Sequence, residues 1–147
     1  MFRILSIDGG GIKGVFPAAF LATIESTLGR PIRSYFDLIA GTSTGGILAI
    51  GLGLGFSASD LLHFYETKAG LIFPPSVTGR FRHWVRQKYS PAPLRAALKE
   101  VLGVRLLGHS KTRLLIPSFN ADNSEIHVYK TSHHPKLKLD WKVSARR

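Results

Sequence analysis

The sequence has 147 residues, 44% of them hydrophobic, and a mean hydropathy of +0.08, values that fit one globular domain and exclude a disordered chain. The absence of cysteine excludes disulfides and thiolate catalysis and suits a cytoplasmic protein. The formal net charge of +11 favours anionic partners, either nucleic acid or an anionic lipid surface.

Strands and helices are predicted to alternate along the chain. The predicted elements are a strand over 2–7, a helix over 16–28 that ends at Gly29, a strand over 36–40, a glycine-rich helix after Ser43, a helix from 57 to about 70, a helix over 91–102, and strands over 114–119 and 126–130. Residues 120–123 have the composition of a hairpin turn. This order predicts a right-handed crossover and an α/β layered fold.

Two packing expectations follow from the apolar patterns. The first strand is uniformly apolar, so we expect it to be buried on both faces, as in parallel sheets. In the first helix, the predicted buried stripe consists of Phe20, Leu21, Ile24 and Leu28. The glycines of the helix after Ser43 cost helix stability, so we expect this helix to pack very closely against the sheet.

The segment Gly41-Thr-Ser-Thr-Gly45 matches G-x-S-x-G, with a predicted strand before it and a predicted helix after it. A sharp turn of this kind lifts the serine hydroxyl out of the backbone, and Gly41 and Gly45 leave room for it. Ser43 is therefore a candidate nucleophile, with the amide of Thr44 at the helix N-terminus as a candidate oxyanion donor. The alternative is a serine that only caps the helix.

A second glycine-rich turn, Asp8-Gly-Gly-Gly-Ile-Lys-Gly14, also lies between a strand and a helix. In a parallel sheet both turns fall at the same carboxyl edge, so we expect the two loops to meet. An oxyanion hole requires backbone amides beside the serine nucleophile, and glycine amides are suitable because no side chain obstructs them. Lys13 could orient this loop or meet an anionic head group, although a solvated lysine is the simpler interpretation.

Residues 9–14 also match G-x-G-x-x-G, the phosphate-binding pattern of dinucleotide folds. That site needs an acidic residue at the carboxyl end of the second strand, whereas Asp37 opens this strand and Gly41 to Ser43 occupy its end. A P-loop also requires Gly-Lys-Ser/Thr after the glycines, which is absent. Nucleotide binding is therefore disfavoured.

The two glycine motifs, with their order and spacing, resemble those of the patatin-like phospholipases. The resemblance rests on Asp8-Gly-Gly-Gly-Ile-Lys-Gly14 and on Tyr35-Phe-Asp-Leu-Ile-Ala-Gly-Thr-Ser-Thr-Gly-Gly46, and it extends weakly through Ile116-Pro-Ser-Phe and Val128-Tyr-Lys-Thr. It implies a three-layer α/β/α fold with a mainly parallel sheet and hydrolysis of phospholipids or other lipid esters. It also implies Ser43 as nucleophile and the amides of Gly9, Gly10 and Gly11 as the oxyanion hole, with no metal or organic cofactor.

That family pairs its serine with an aspartate in a downstream Asp-Gly-Gly or Asp-Gly-Ala. Here the one Asp-Gly is Asp8-Gly9, inside the glycine loop. The resemblance therefore assigns residues 1–147 to the N-terminal portion of the domain, without the base. We expect this chain alone to be weakly active or inactive, with a cut sheet whose exposed edge favours self-association. A triad of Ser43, Asp122 and His133 or His134 is a weaker alternative.

The charge excess lies entirely in residues 80–147, which hold fifteen basic and four acidic residues. Within them, residues 80–89 interleave basic side chains with aromatic ones, a pattern suited to an anionic bilayer surface. Stacking on single-stranded nucleic acid is a less favoured interpretation, and a solvated face over the core is the simplest one. A non-catalytic basic binding module is thus the second functional hypothesis, and the location expected is cytoplasmic or peripheral at a membrane.

Overall fold

A computed structural model describes residues 1–73, 91–120, 123–132, 136 and 139–145. The strands are β1 (Ile4–Ile7), β2 (Leu38–Gly41), β3 (Arg113–Asn120) and β4 (Glu125–Lys130), and the α-helices are α1 (Val15–Leu28), α2 (Thr44–Leu54), α3 (Ala58–Ile72) and α4 (Pro91–Leu102). Short 3-10 turns lie at Gly11–Gly14, Ile32–Tyr35, Leu107–His109 and Leu139–Lys142. The predicted α/β alternation is therefore confirmed.

The four strands form one sheet in the order β1-β2-β3-β4. The pairs β1–β2 and β2–β3 are parallel, and β3–β4 is the predicted antiparallel hairpin. In the register of the first pair, Ile7 lies opposite Gly41. The residues that follow these two positions therefore leave the sheet at the same edge, as expected for parallel strands.

Helix α2 is the centre of the packing. It contacts the first three strands, and its residues Leu48, Ala49 and Leu52 are almost completely buried, at 0–1% exposure. Helices α1 and α3 pack on each other, and α3 also contacts α4. A mainly parallel sheet with helices packed around it agrees with the three-layer α/β/α organisation. The expected close packing of α2 on the sheet is confirmed.

The predicted helix boundaries have identifiable causes. Helix α1 ends at Gly29, whose φ of 64° is the left-handed conformation that glycine adopts without strain. Helix α3 begins with a capping box in which Ser57 Oγ accepts the Asp60 amide, and the Asp60 carboxylate accepts the Ser57 amide, each at 3.0 Å. Hydrogen bonds from the side chain and the backbone of Ser57 to the Asp60 carboxylate lower the pKa of Asp60. Both boundary predictions are confirmed.

Two packing predictions are wrong. Strand β1 is not buried on both faces: Ile4 is 57% exposed, because β1 is the edge strand of the sheet among the described residues. In α1, Phe20 and Leu28 are half-exposed, and the buried residues are Ala18, Leu21 and Ala22. Small side chains on that face suit the close packing of α1 on α3. Self-association through an exposed sheet edge stays a prediction.

Candidate active site

Ser43 lies where β2 turns into α2, at the N-cap position of the helix. Its φ of 51° and ψ of −123° lie in a region that residues with a side chain rarely adopt. Its side chain makes no capping hydrogen bond, and the residue is exposed. The helix-capping alternative therefore does not describe this serine: the turn strains its backbone and leaves the hydroxyl uncommitted to the helix.

The glycines of the motif permit this turn because backbone atoms pass next to them. A Cβ on Gly41 would overlap the carbonyl of Gly45, and a Cβ on Gly45 would overlap the carbonyl of Ile7. The first turn of α2 thus rests directly on the ends of β1 and β2. A residue with a side chain at either position would force Ser43 away from the sheet edge.

The glycine loop after β1 meets this turn, as predicted. A Cβ on Gly9 would lie 2.7 Å from the Cβ of Ser43 and 2.8 Å from the carbonyl oxygen of Thr42. The Gly9 amide donates to Thr42 Oγ1 at 3.2 Å, and the Gly10 amide donates to Thr44 Oγ1 at 3.0 Å. The two threonines that flank the serine therefore fasten the loop beside it.

These contacts distinguish among the predicted oxyanion donors. The amides of Gly9 and Gly10 are occupied by threonine hydroxyls. Within the described part of the chain, the amides of Gly11 and Thr44 have no acceptor. Gly11 has a φ of 59°, and Thr44 is the first residue of α2, where amides are free of intrahelical bonds.

Thr44 is held by a group that the sequence did not suggest. It is 1% exposed, and the hydroxyl of Tyr65 on α3 donates to its carbonyl oxygen at 2.9 Å. Gly14 packs against it, since a Cβ there would lie 3.0 Å from Thr44 Cβ. Burial raises the pKa of Tyr65, so its phenol stays protonated as a donor. Tyr65 lies on the buried stripe of a predicted helix, but nothing local indicated its partner.

Asp8 and Lys13 contribute backbone atoms to this arrangement: a Cβ on Gly45 would lie 2.8 Å from the carbonyl oxygen of Asp8. Both are exposed, and Lys13 contributes its amide to a turn by donating to the Gly10 carbonyl at 3.1 Å. The exposed position agrees with the solvated interpretation of Lys13. The loop is therefore fixed by backbone amides and threonine hydroxyls.

A cavity of about 250 Å³ opens beside Ser43. It lies between α2, α4, the β3–β4 hairpin and residues 143–145, and most of its lining is apolar. Among the described residues, those lining it include no aspartate, glutamate or histidine. The site thus joins an exposed hydroxyl to an apolar cavity whose described lining residues include no general base.

Other carboxylates and imidazoles of the described residues do not line the cavity, and they either accept hydrogen bonds elsewhere or are exposed. Asp37 accepts the Arg3 amide at 2.7 Å at the start of β2, and Asp140 accepts the Lys130 amide at 3.0 Å. His109 Nδ1 accepts the Leu106 amide at 3.3 Å. His63 and His127 are exposed. Several residues considered in the sequence analysis lie outside the described residues: Asp122, His133, His134 and the basic segment 80–89.

A serine on a strained strand-to-helix turn beside a glycine loop has the backbone arrangement that is typical of nucleophile elbows in α/β proteins. The chain belongs to the patatin-like phospholipase family, whose model matches residues 5–140. Among its described residues, no helix is both long enough and apolar enough to cross a membrane.

Three curated relatives illustrate the range of the family. A protein of Pseudomonas aeruginosa named cGAMP-activated phospholipase is 37% identical, over 97% of this chain and 43% of its own length. Patatin-like protein 2 of Oryza sativa subsp. indica is 34% identical, over 88% of this chain and 36% of its own. A Solanum tuberosum protein named probable inactive patatin-3-Kuras 1 is 33% identical, over 97% of this chain and 41% of its own length. The chain spans less than half the length of each.

Proposed function

We propose that this chain carries the nucleophile and the oxyanion donors of a serine-dependent lipid acyl hydrolase. The observation that carries the proposal is the contact between Gly9 and the Cβ of Ser43, at a turn where Ser43 has a φ of 51°. An exposed hydroxyl on a strained turn beside a glycine loop is suited to acyl transfer. Membership of a phospholipase family favours a phospholipid or another lipid ester as substrate.

In the proposed reaction, Ser43 Oγ attacks the ester carbonyl carbon, and a base takes the hydroxyl proton. The carbonyl oxygen gains negative charge, which the amides of Gly11 and Thr44 stabilise first because they have no other acceptor. Collapse breaks the bond to the alcohol, which leaves with the proton, and an acyl ester remains on Ser43. Water then attacks this ester, releases the fatty acid and returns a proton to Oγ.

We further propose that the base lies outside these 147 residues. The described lining of the cavity offers no carboxylate or imidazole, and the downstream Asp-Gly motif of the family is absent from the sequence. Without its base a serine hydrolase loses roughly four to six decades of turnover. This chain alone is therefore expected to react once with an activated probe but to turn over ordinary esters very slowly.

A serine-directed fluorophosphonate tests the proposal because its leaving group departs with little help from a catalytic base. The wild-type chain should be labelled, and Ser43→Ala should not. Ser26→Ala is the matched control: this serine is exposed on α1, where its hydroxyl donates to the Thr23 carbonyl at 2.9 Å. Equal labelling of Ser43→Ala, or an unlabelled wild type whose circular dichroism is that of a folded chain, would overturn the proposal.

We propose that the protein is cytoplasmic and lies peripherally at a membrane, a location that its charge distribution supports. The excess of basic residues in 80–147 provides attraction to anionic lipid. Flotation with vesicles containing an anionic lipid should recover the chain at low salt and lose it as salt rises. Equal recovery with neutral vesicles would contradict binding by electrostatic attraction to anionic lipid.

The second candidate is a non-catalytic basic module, favoured by the charge of +11 and by the lack of a carboxylate or imidazole among the described residues that line the cavity. It predicts vesicle or oligonucleotide binding that Ser43→Ala leaves unchanged, together with no fluorophosphonate labelling.

The bacterial relatives are named for activation by cGAMP. We therefore include cGAMP, with ATP as the control nucleotide, in the assays for labelling and ester hydrolysis.

A further inference from the structure

A second cavity lies at the edge of the sheet opposite to Ser43. Arg113 lines this cavity and opens β3, where it pairs with Leu38, the first residue of β2. Ser43, by contrast, lies two residues beyond Gly41, the last residue of β2. The second cavity is therefore at the amino ends of these parallel strands, whereas the candidate nucleophile is at their carboxyl edge.

The lining of this second cavity is polar and cationic. Among the described residues that line it, all except Gly108 have polar side chains: two are basic, four carry a hydroxyl and none is acidic. These side chains belong to Ser110, Lys111, Thr112, Arg113, Thr131 and Ser132. Basic groups and hydroxyls without a carboxylate suit an anionic ligand that has several acceptor oxygens.

Both basic side chains are available to a ligand. Lys111 and Arg113 are exposed, and neither forms an ion pair with a carboxylate of the described chain. The guanidinium of Arg113 lies 5.8 Å from the centre of the Phe2 ring. This contact limits the positions of the guanidinium but leaves its N–H donors unused, because an aromatic face replaces no hydrogen-bond acceptor.

Capping of α2 by hydrogen bonds does not account for Lys111. This side chain lies at the end of the helix, since a Cβ on Gly55 would be 3.3 Å from Lys111 Nζ, and lysines at such positions can bond the last carbonyls. Here the carbonyls of residues 51–53 already accept backbone amides. Lys111 Nζ donates no hydrogen bond to a described residue, so the ammonium group remains available.

The hydroxyls add donors on a fixed backbone. The Lys111 amide donates to the Gly53 carbonyl at 2.7 Å, and Ser110 Oγ donates to the Thr112 carbonyl at 2.6 Å. Thr131 Oγ1 accepts the Leu114 amide at 2.9 Å. In the described structure the hydroxyl protons of Thr112 and Thr131 have no acceptor. A backbone fixed in this way lowers the cost of ordering the site on binding.

We propose that this cavity binds the phosphate group of a ligand. Lys111 and Arg113 neutralise its charge, and the hydroxyls of Thr112 and Thr131 donate to its oxygens. A phosphate monoester carries about two negative charges at neutral pH and three acceptor oxygens, which match two cations and two hydroxyl donors. The site is independent of the proposed function, because it shares no residue with the turn at Ser43.

The position of the cavity favours a soluble ligand over a lipid head group. The cavity adjoins the carboxyl end of α2, whereas Ser43 caps its amino end. The 11 residues of α2 separate the two by roughly 16 Å. A bilayer seated on the cavity would therefore hold Ser43 away from the lipid, so we expect a small phosphate compound in solution.

Titration of the 147-residue chain with inorganic phosphate, followed by amide chemical shifts, tests the site. The amides of residues 108–113 and 131–132 should shift along one saturable curve in the millimolar range, and sodium chloride of equal ionic strength should not reproduce it. Lys111→Ala and Arg113→Ala should each weaken binding about tenfold, the loss typical of one charge-assisted hydrogen bond. Absence of a saturable shift in the wild-type chain would overturn the proposal.

Matched variants separate a built site from general attraction to a chain of charge +11. Lys99→Ala and Arg95→Ala remove the same charges from exposed positions on α4 outside the cavity, and they should leave the affinity within about twofold. Equal weakening by Lys99→Ala and Lys111→Ala would overturn the site. Since the variants change exposed side chains, their thermal midpoints without phosphate should match that of the wild type.

Ser43→Ala separates this inference from the proposed function. This variant should bind phosphate as the wild type does, because the cavity lies at the other end of α2. Loss of phosphate binding in Ser43→Ala would place the anion at the oxyanion donors and overturn the second site. Failure of Ser43 to react with a fluorophosphonate would overturn the nucleophile and leave the phosphate site standing.

Vesicles distinguish the two sources of the phosphate group. The probe is phosphatidylcholine vesicles with added phosphatidic acid, whose head group is a phosphate monoester. Equal flotation of Lys111→Ala and Lys99→Ala, together with the phosphate titration, would assign the site to a soluble ligand. Flotation lost in Lys111→Ala and kept in Lys99→Ala would overturn the soluble source and assign the site to a lipid head group.

Discussion

Gly9 lies so close to Ser43 that a methyl group on Gly9 would stand 2.7 Å from the Cβ of Ser43. Real Cβ atoms essentially never approach another carbon this closely. The contact joins two turns that are 34 positions apart in the sequence and that follow two adjacent parallel strands. The first prediction follows from this contact.

Gly9→Ala should displace the loop from the serine. Since Gly9 is not among the positive-φ glycines, the effect is steric, with an expected stability loss of about 1–3 kcal/mol. Labelling of Ser43 should slow by about two decades, the loss typical of one oxyanion donor. Gly70→Ala is the matched control, since a Cβ there meets nothing within 4 Å. An unchanged labelling rate in Gly9→Ala would contradict the assembled loop.

Thr44→Val should release the loop while keeping the shape of the side chain. The variant removes the buried hydroxyl oxygen that accepts the Gly10 amide at 3.0 Å, which costs about 1–3 kcal/mol. Chemical denaturation measures this loss, and fluorophosphonate labelling should fall with it. Thr44→Ser restores the oxygen and should recover most of the labelling rate. A serine variant no better than the valine variant would argue against the hydrogen bond.

Tyr65→Phe should lower stability at neutral pH and remove a pH dependence at alkaline pH. Loss of the buried hydrogen bond to the Thr44 carbonyl costs about 1 kcal/mol. Burial raises the pKa of Tyr65 in the folded chain, so the unfolded chain loses this proton first. Wild-type stability should therefore fall above about pH 10 more steeply than that of Tyr65→Phe. Urea unfolding of both chains across that range checks the sign.

The capping box of α3 should contribute stability that acid removes. Ser57→Ala should cost about 1 kcal/mol because the Asp60 amide loses its acceptor. Hydrogen bonds from Ser57 lower the pKa of Asp60, so its contribution is present above about pH 4 and is lost as the pH falls below it. The free-energy difference between wild type and Asp60→Asn should accordingly shrink in acid. A difference that grows in acid would contradict the assignment.

The sequence predicted those features that depend on local patterns. The stop at Gly29, the capping box at Ser57 and the meeting of the two glycine turns all follow from residue types and the rule that parallel strands end together. The exposure of Ile4 and Phe20 did not follow, because burial depends on which elements cover a surface. The same reason applies to Tyr65, whose partner is 21 residues away.

The candidate site was predictable in composition but not in its hydrogen bonds. The sequence indicated Ser43 and the glycine loop, but it did not indicate that Thr42 and Thr44 would occupy the amides of Gly9 and Gly10. Threonines on both sides of the serine were the available signal. Hydroxyl groups on either side of a nucleophile are candidates for holding the loop that faces it.

The left-handed φ of Ser43 also has an evolutionary consequence. A residue with a side chain in such a region costs on the order of 1–3 kcal/mol, so a lineage that no longer needs the hydroxyl gains fold stability by replacing it with glycine. Relatives that have lost activity should therefore show glycine at the position equivalent to residue 43 more often than alanine or threonine. The residue type at this position therefore indicates whether a relative is still under selection for the serine hydroxyl.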